Sequence, residues 1–255
     1  MSANLPLVVG ISGASGVIYG VRLLRLLRDL SIEAHLVLSR SAEITIAHET
    51  DLKIAEIKEL ASKTYAQHDI AAAISSGSFK TRGMIIAPCS IRTMAEIATG
   101  VTSTLLTRAA DVVLKERRPL VLMVRESPLH TGHLRTMTQL SEMGAIIAPP
   151  VPAFYSRPAS LDDIIDHTLG RILDLFDIEA GGPSLATVMK RSIRNLVIHG
   201  GRPEAARVGP DPTKPPLVRR AWMQGAVAHS SGRARPPKCG RSPQSAVCSD
   251  ADEPR

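Results

Sequence analysis

Apolar runs at Leu5 to Val9, Glu33 to Leu38, Gly83 to Ala87, Leu120 to Val124 and Ala145 to Ala148 alternate with segments whose apolar residues fall three and four apart. A run with little polar alternation is a strand covered on both faces, and the three-four spacing is the stripe of a helix packed on it. Such an order joins parallel strands, because the return to the start of the next strand takes a helix. The chain is therefore predicted to be α/β: a three-layer, doubly wound, mostly parallel sheet over residues 1–180.

Between these strands, helices are expected at Val17 to Leu30, 41–48, 53–62, Ser90 to Thr99, 103–117 and 131–143, with a last one beginning near Ser160. In the first, Val17, Val21, Leu24, Leu27 and Leu30 would face the sheet and Arg22, Arg25 and Arg28 the solvent. Thr50 and Asp51 read as the cap of the 53–62 helix. Pro149, Pro150 and Pro152 force an extended loop up to Phe154 and Tyr155, and Asp162 and Asp163 occupy the first turn of the last helix.

Composition narrows the class. Of 255 residues 44% are hydrophobic but only 3% aromatic, so the core is aliphatic. Three cysteines, an odd number without ligand-like spacing, argue for a reducing compartment and against a disulfide frame or zinc site. No basic region precedes an apolar segment and no apolar run nears membrane-spanning length, so a soluble, cytoplasmic protein with no membrane partner is expected. The net charge of +7 is concentrated late: residues 202–255 carry ten Lys and Arg against five Asp and Glu, and half of the 18 prolines. Residues 181–255 lack hydrophobic periodicity and read as an irregular, disordered basic tail. It lacks the interleaved aromatics of a nucleic-acid arm.

In doubly wound sheets, ligands bind beyond the carboxyl ends of the strands. The polar clusters 10–16, 39–41, 75–78, 88–93 and 125–126 are all expected there. Gly10-Ile11-Ser12-Gly13-Ala14-Ser15-Gly16 links a strand to a helix, and small residues with free helix N–H groups suit a phosphate. Its G-x-x-G-x-x-G spacing is neither the dinucleotide fingerprint nor a P-loop, and it lacks the G-x-S-x-G of a nucleophile elbow. Pro88-Cys89-Ser90-Ile91-Arg92-Thr93 repeats the arrangement, where Ser90 can cap its own helix or share a phosphate. Arg125 and Glu126 end a strand as a structural ion pair or as a cation beside a working carboxylate. Lys115-Glu116-Arg117-Arg118 reads as a solvated helix end. His130 and His133 could form a metal pair but have no third ligand at recognisable spacing, and Cys89 reads as a packed strand-end residue.

Together with His48-Glu49-Thr50-Asp51, Ser75-Ser76-Gly77-Ser78, Arg108 to Pro119, Val124 to Pro128 and Pro152 to Tyr155, these segments resemble the UbiX-type flavin prenyltransferases, in order, from about residue 5 to 178. The resemblance implies a Rossmann-like flavoprotein, a homododecamer linked to ubiquinone biosynthesis. It would transfer a dimethylallyl group from dimethylallyl phosphate to FMN, and the prenylated FMN would serve UbiD-type decarboxylases. By the same resemblance Gly13, Ala14, Ser15, Ser39, Ser90, Ile91, Arg92, Thr93 and Arg125 contact FMN. Tyr155 and Arg171 hold the donor phosphate with Lys115 nearby, Glu49 and Glu126 are acidic active-site positions, and Glu126 moves a proton together with Ser15. No metal is implied, because cationic side chains can stabilise the leaving phosphate.

Three other readings stand beside it. Direct decarboxylation of a hydroxybenzoate-type acid would need an acid-binding constellation that the sequence lacks. A passive FMN carrier would have no use for Lys115, Glu126, Tyr155 and Arg171. A cysteine decarboxylase of the same architecture would want a Pro-x-x-Ala-Asn-type loop in place of Pro88 to Thr93. The segment from Glu179 departs from the family pattern, which usually ends with an aromatic near a neighbouring subunit's active site, and it reads as unrelated sequence joined on.

Overall fold

A computed structural model of the chain describes residues 5–180. The expected tail at 181–255, with Trp222, Cys239 and Cys248, lies outside the described residues. Six strands, β1 (Leu7–Ile11), β2 (Ala34–Leu38), β3 (Lys63–Tyr65), β4 (Gly83–Cys89), β5 (Leu120–Val124) and β6 (Ile146–Ile147), form one sheet in the order β3-β2-β1-β4-β5-β6. Every neighbouring pair is parallel. This is the doubly wound order of the Rossmann fold, in which the chain works outward from β1 to one side and then returns to build the other.

Alternate strand residues sort the core into two layers. Leu7, Val9 and Ile11, with Leu36, Ile85 and Met123, pack beneath α1 (Val17–Asp29), α2 (Arg40–Glu49), the short α3 (Ile54–Lys58) and α7 (Leu161–Asp174). Val8, Met84, Ile86 and Leu122 face α4 (Ile91–Ala98), α5 (Leu105–Lys115) and α6 (Thr131–Glu142). The aliphatic strand interiors are thus covered on both sides, as their unbroken runs require. No helix among the described residues is long and apolar enough to cross a membrane.

Local chemistry sets the helix ends. Ser39, Ser90, Thr104 and Ser160 cap α2, α4, α5 and α7, each accepting an N–H three residues on. At α7 the cap is reciprocal, since the Asp163 carboxylate accepts from Ala159 and Ser160 N–H at 2.8 and 3.1 Å. Those bonds hold the Asp163 carboxyl below its ordinary pKa.

Two expectations are corrected and one element is added. Thr50 does not start the third helix but ends α2: its hydroxyl donates to the Ile46 carbonyl at 2.9 Å, and α3 begins only at Ile54. Arg22 is not a solvated residue, because α7 lies over that flank of α1 and Asp166 takes both Nε and Nη2 at 2.7 Å. The edge strand β3 has no counterpart in the sequence reading: three residues, Lys63-Thr64-Tyr65, are too few to show a period. It is held partly by Tyr65, whose hydroxyl lies 3.1 Å from Nδ1 of the buried His35.

Candidate active site

β1 and β4 are adjacent, yet the turns that follow them lead to helices on opposite faces, so their carboxyl ends open a crevice where strand order reverses. Ser12 to Gly16 lines one side and Ser90 to Thr93 the other. Ser12, only 1% exposed, bridges them: its hydroxyl donates to the Pro88 carbonyl at 2.8 Å and accepts the Ser90 N–H at 2.7 Å. Arg125 follows β5 onto the same edge, its N–H bonded to the Cys89 carbonyl at 3.1 Å. Ser39 joins from β2, its N–H bonded to the Ile11 carbonyl at 3.0 Å.

The first turn is packed from the side of α2 as well. A Cβ on Gly13 would lie 2.2 Å from Ser41 Cβ and 3.0 Å from the Ser41 carbonyl carbon, so only glycine lets α2 approach this closely. Gly16 caps α1 with φ of 93°, the left-handed region that glycine enters without cost to a side chain.

The N-terminus of α1 differs from the open phosphate cradle expected of such a turn. Glu49, in the last turn of α2, reaches across and accepts Gly16 N–H at 2.8 Å and Val17 N–H at 3.0 Å through Oε2. Burial raises the Glu49 pKa, but the Ser15 hydroxyl, the two N–H groups and the Arg125 charge together outweigh it and hold the carboxyl below its ordinary value. The helix end is thus satisfied by a side-chain anion of this chain. Ser15, Glu49 and Arg125 form one electrostatic group.

The remaining residues take distinct places. Ser39 and Ser90 spend a lone pair as helix caps, accepting Ala42 and Thr93 N–H at 3.0 and 3.3 Å, and Ser90 donates to Thr93 Oγ1 at 3.1 Å. Arg92 pairs with Glu96 on the exposed side of α4 at 2.8 Å. Glu126 is exposed and accepts its neighbour's N–H, Ser127, at 3.0 Å, making no ion pair with Arg125. Tyr155, half exposed at 52%, stands on a short 3-10 turn with its hydroxyl 3.5 Å from His167 Nε2. Arg171, in the last turn of α7, pairs with Asp174 at 2.5 Å. No hydrogen bond or ion pair among the described residues joins Lys115, Glu126, Tyr155 or Arg171 to the Ser15–Glu49–Arg125 group.

Lys115 ends α5, just ahead of the start of β5, and so occupies the amino edge of the sheet. With Ser75 to Ser78, Lys80, Arg108 and Glu116 it lines a polar recess there, paired to Glu116 at 2.5 Å. The 75–78 loop therefore belongs to the amino edge and not, as expected, to the ligand edge: the Gly77 carbonyl accepts from Arg118, two residues before β5. Seven residues of β4 separate the two edges by roughly 20 Å. Arg118 is likewise not a solvated helix-end charge. It is 12% exposed and holds the 77–81 segment through the Gly77 and Phe79 carbonyls at 2.7 and 2.8 Å.

His130 caps α6, its Nδ1 accepting from Gly132 and His133 N–H, and its ring lies against His133, tilted by 30° with centroids 3.5 Å apart. No group of three or more His, Cys, Asp or Glu among the described residues is arranged to hold a metal ion. Cys89 is fully buried, and burial pushes its thiol pKa far up, leaving no thiolate for nucleophilic work. Sequence reasoning missed the roles of Ser12 and Arg118. Ser12 lies inside the glycine turn, but its partners stand 76 and 78 residues away, and nothing local announces them.

The parallel sheet, the switch-point crevice and its rim of hydroxyls, N–H groups and one arginine define an α/β flavoprotein, and the Flavoprotein family model matches residues 1–178. The flavin prenyltransferase UbiX of Escherichia coli K12 is 64% identical over 173 residues, which is 68% of this chain and 92% of that protein. The UbiX of Thauera aromatica is 56% identical over 175 residues, 69% of this chain and 90% of its own. The chain belongs to the UbiX-type flavin prenyltransferase family. Among solved structures, AnUbiX (PadA1) in complex with FMN and dimethylallyl pyrophosphate superposes with a TM-score of 0.69 at 48% identity, covering 70% of this chain and 95% of that one. A dodecameric FMN-dependent UbiX-like decarboxylase from Escherichia coli O157:H7 gives 0.67 at 49% identity, with 69% and 96% covered.

Proposed function

We propose that this chain transfers a dimethylallyl group from dimethylallyl phosphate to N5 and C6 of reduced FMN, yielding prenylated FMN for a UbiD-type decarboxylase. The observation that carries this reading is the convergence of Ser15, Glu49 and Arg125 on the switch-point crevice, in a chain 64% identical to a UbiX over 92% of that protein. The donor set fits FMN. Ser39, Ser90 and Thr93 offer hydroxyls beside two helix N-termini, Arg125 offers a fixed cation, and Gly13 to Ser15 let a flat ring approach the backbone.

Reduced FMN supplies the nucleophilic nitrogen and the ring carbon at which the new ring closes. The chain's own groups do the rest. As the allylic C–O bond breaks, its electron pair goes to the phosphate, and Lys115, Arg171 and the Tyr155 hydroxyl stabilise that charge. Closing the ring at C6 releases one proton, which Glu126 or the departing phosphate accepts.

Within one chain Lys115 stands at the sheet edge away from Arg125. A site that needs both therefore draws Lys115 from another copy, which fits a homo-oligomer of the dodecameric kind seen in the Escherichia coli O157:H7 structure. A cytoplasmic location fits the reducing compartment that cysteine usage suggests.

Purified protein mixed anaerobically with reduced FMN and dimethylallyl phosphate should yield a flavin heavier by one prenyl unit on mass spectrometry. Unchanged FMN would overturn prenyl transfer and leave the carrier and direct-decarboxylase readings. Arg125→Ala and Lys115→Ala chains, each inactive alone, should regain activity when unfolded together and co-refolded. Failure of a mixture that refolds to the native assembly would mean that the two residues do not share a site between copies.

A further inference from the structure

We propose that Ser12 is a positioning residue of the flavin site, the clasp that sets the two flavin-contacting turns in register across the switch point. The inference rests on the FMN reading above and goes beyond it, since Ser12 faces the protein and not the crevice.

The β1–β4 ladder ends in regular register at Gly10 opposite Ile86. Beyond it the pairing of β4 with β5 shifts between Ile86 and Cys89, and Pro88 has no N–H to donate. Backbone pairing is therefore thinned where the two strands run into their turns. Ser12 N–H still reaches the Pro88 carbonyl at 3.2 Å, and its hydroxyl then takes over. It donates to that same carbonyl at 2.8 Å and accepts Ser90 N–H at 2.7 Å, the shorter of the two. Both hydroxyl functions, donor and acceptor, are thus used.

The consequence reaches the ligand edge through Ser90. Ser90 is the N-cap of α4, so fixing its N–H fixes the phase of the helix that presents Ile91, Arg92 and Thr93. On the other side of Ser12 follow Gly13, Ala14 and Ser15. One buried hydroxyl therefore sets the separation between the two halves of the flavin contact. Ser12 is 1% exposed, and without its hydroxyl the part-buried Ser90 N–H loses the partner that holds it.

The test compares Ser12→Ala, Ser12→Thr and the unsubstituted protein by FMN affinity from quenching of flavin fluorescence, thermal midpoint without FMN, and hydrogen–deuterium exchange of the peptide containing Ser90. Ser12→Ala is expected to weaken FMN binding by about tenfold or more and to lose protection at Ser90, while Ser12→Thr, which keeps the hydroxyl, recovers most of both. Should Ser12→Ala fail to fold, Ser12→Cys, similar in shape but a weaker hydrogen-bonding group, should bind FMN several-fold more weakly than the unsubstituted chain. FMN affinity within about twofold of the unsubstituted protein, in either variant, would reduce Ser12 to a structural role and overturn the proposal, as would unchanged exchange at Ser90. If the unsubstituted protein itself binds no FMN, the functional reading falls and takes the flavin role of Ser12 with it. Weak binding confined to the variants leaves both standing.

Discussion

Glu49 Oε2 lies 2.8 Å from the Gly16 amide nitrogen, so a carboxylate from the end of α2 closes the start of α1. Thirty-three residues apart in sequence, the two complete a helix terminus that no residue of the turn itself caps. The arrangement ties the geometry of the glycine turn to the ionisation of one side chain.

That tie has a pH signature. Because the folded Glu49 pKa lies below its ordinary 4.5, the unfolded chain takes up the proton first as pH falls. The contact's contribution is fully present above about pH 4.5, declines below it and is gone below the folded value. Urea midpoints measured from pH 6 down to 3 should fall less steeply for Glu49→Gln than for the unsubstituted protein. Asp163 titrates in the same direction in both proteins, so the difference isolates Glu49. Parallel pH profiles would show that the carboxylate is not charged on the helix end.

Gly13→Ala should disrupt the site through packing. The new methyl would lie 2.2 Å from Ser41 Cβ, which sits at the start of α2 and cannot swing aside. A loss of about 1–3 kcal/mol in stability is expected, with weaker FMN binding, read from denaturation and flavin titration. Wild-type stability would mean that α2 can shift at little cost.

Arg22 and Asp166 join α1 to α7 by two hydrogen bonds of 2.7 Å. Both side chains are about one-third exposed, so solvent screens the pair, and either Arg22→Ala or Asp166→Ala should cost only about 1 kcal/mol. In a double-mutant cycle the two losses should not add. Additive losses would mean that the forked geometry contributes nothing of its own.

Cys89 should be inert in the folded protein. In a chain carrying Cys239→Ser and Cys248→Ser, a soluble thiol reagent at pH 8 should label nothing until denaturant is added, and then one thiol. Rapid native labelling would contradict its burial between β4 and the α4–α5 layer.

Much of the fold was legible in the chain because its signals are local. The runs at Val8, Ile85 and Val121 are buried on both faces and look so in one dimension; the same holds for the three-four spacing of Val17, Val21 and Leu24. β3 was not legible, since three residues with an exposed Lys63 gain strand geometry only from pairing with β2. Arg22 read as a solvent residue because the helix that covers it arrives 144 positions later.

The sequence by itself determined the alternation of strands and helices, the aliphatic core and the residue types along the switch-point rim. Periodicity, caps and glycine turns act within a few residues, so they survive as pattern. Tertiary structure alone decided that Glu49 closes α1, that Ser12 clasps Ser90, and that the 75–78 loop with Lys115 faces the opposite edge from Arg125. Each of these depends on where a strand or helix ends in space relative to one far along the chain, and hydrogen bonds are satisfied by proximity, which linear spacing does not record.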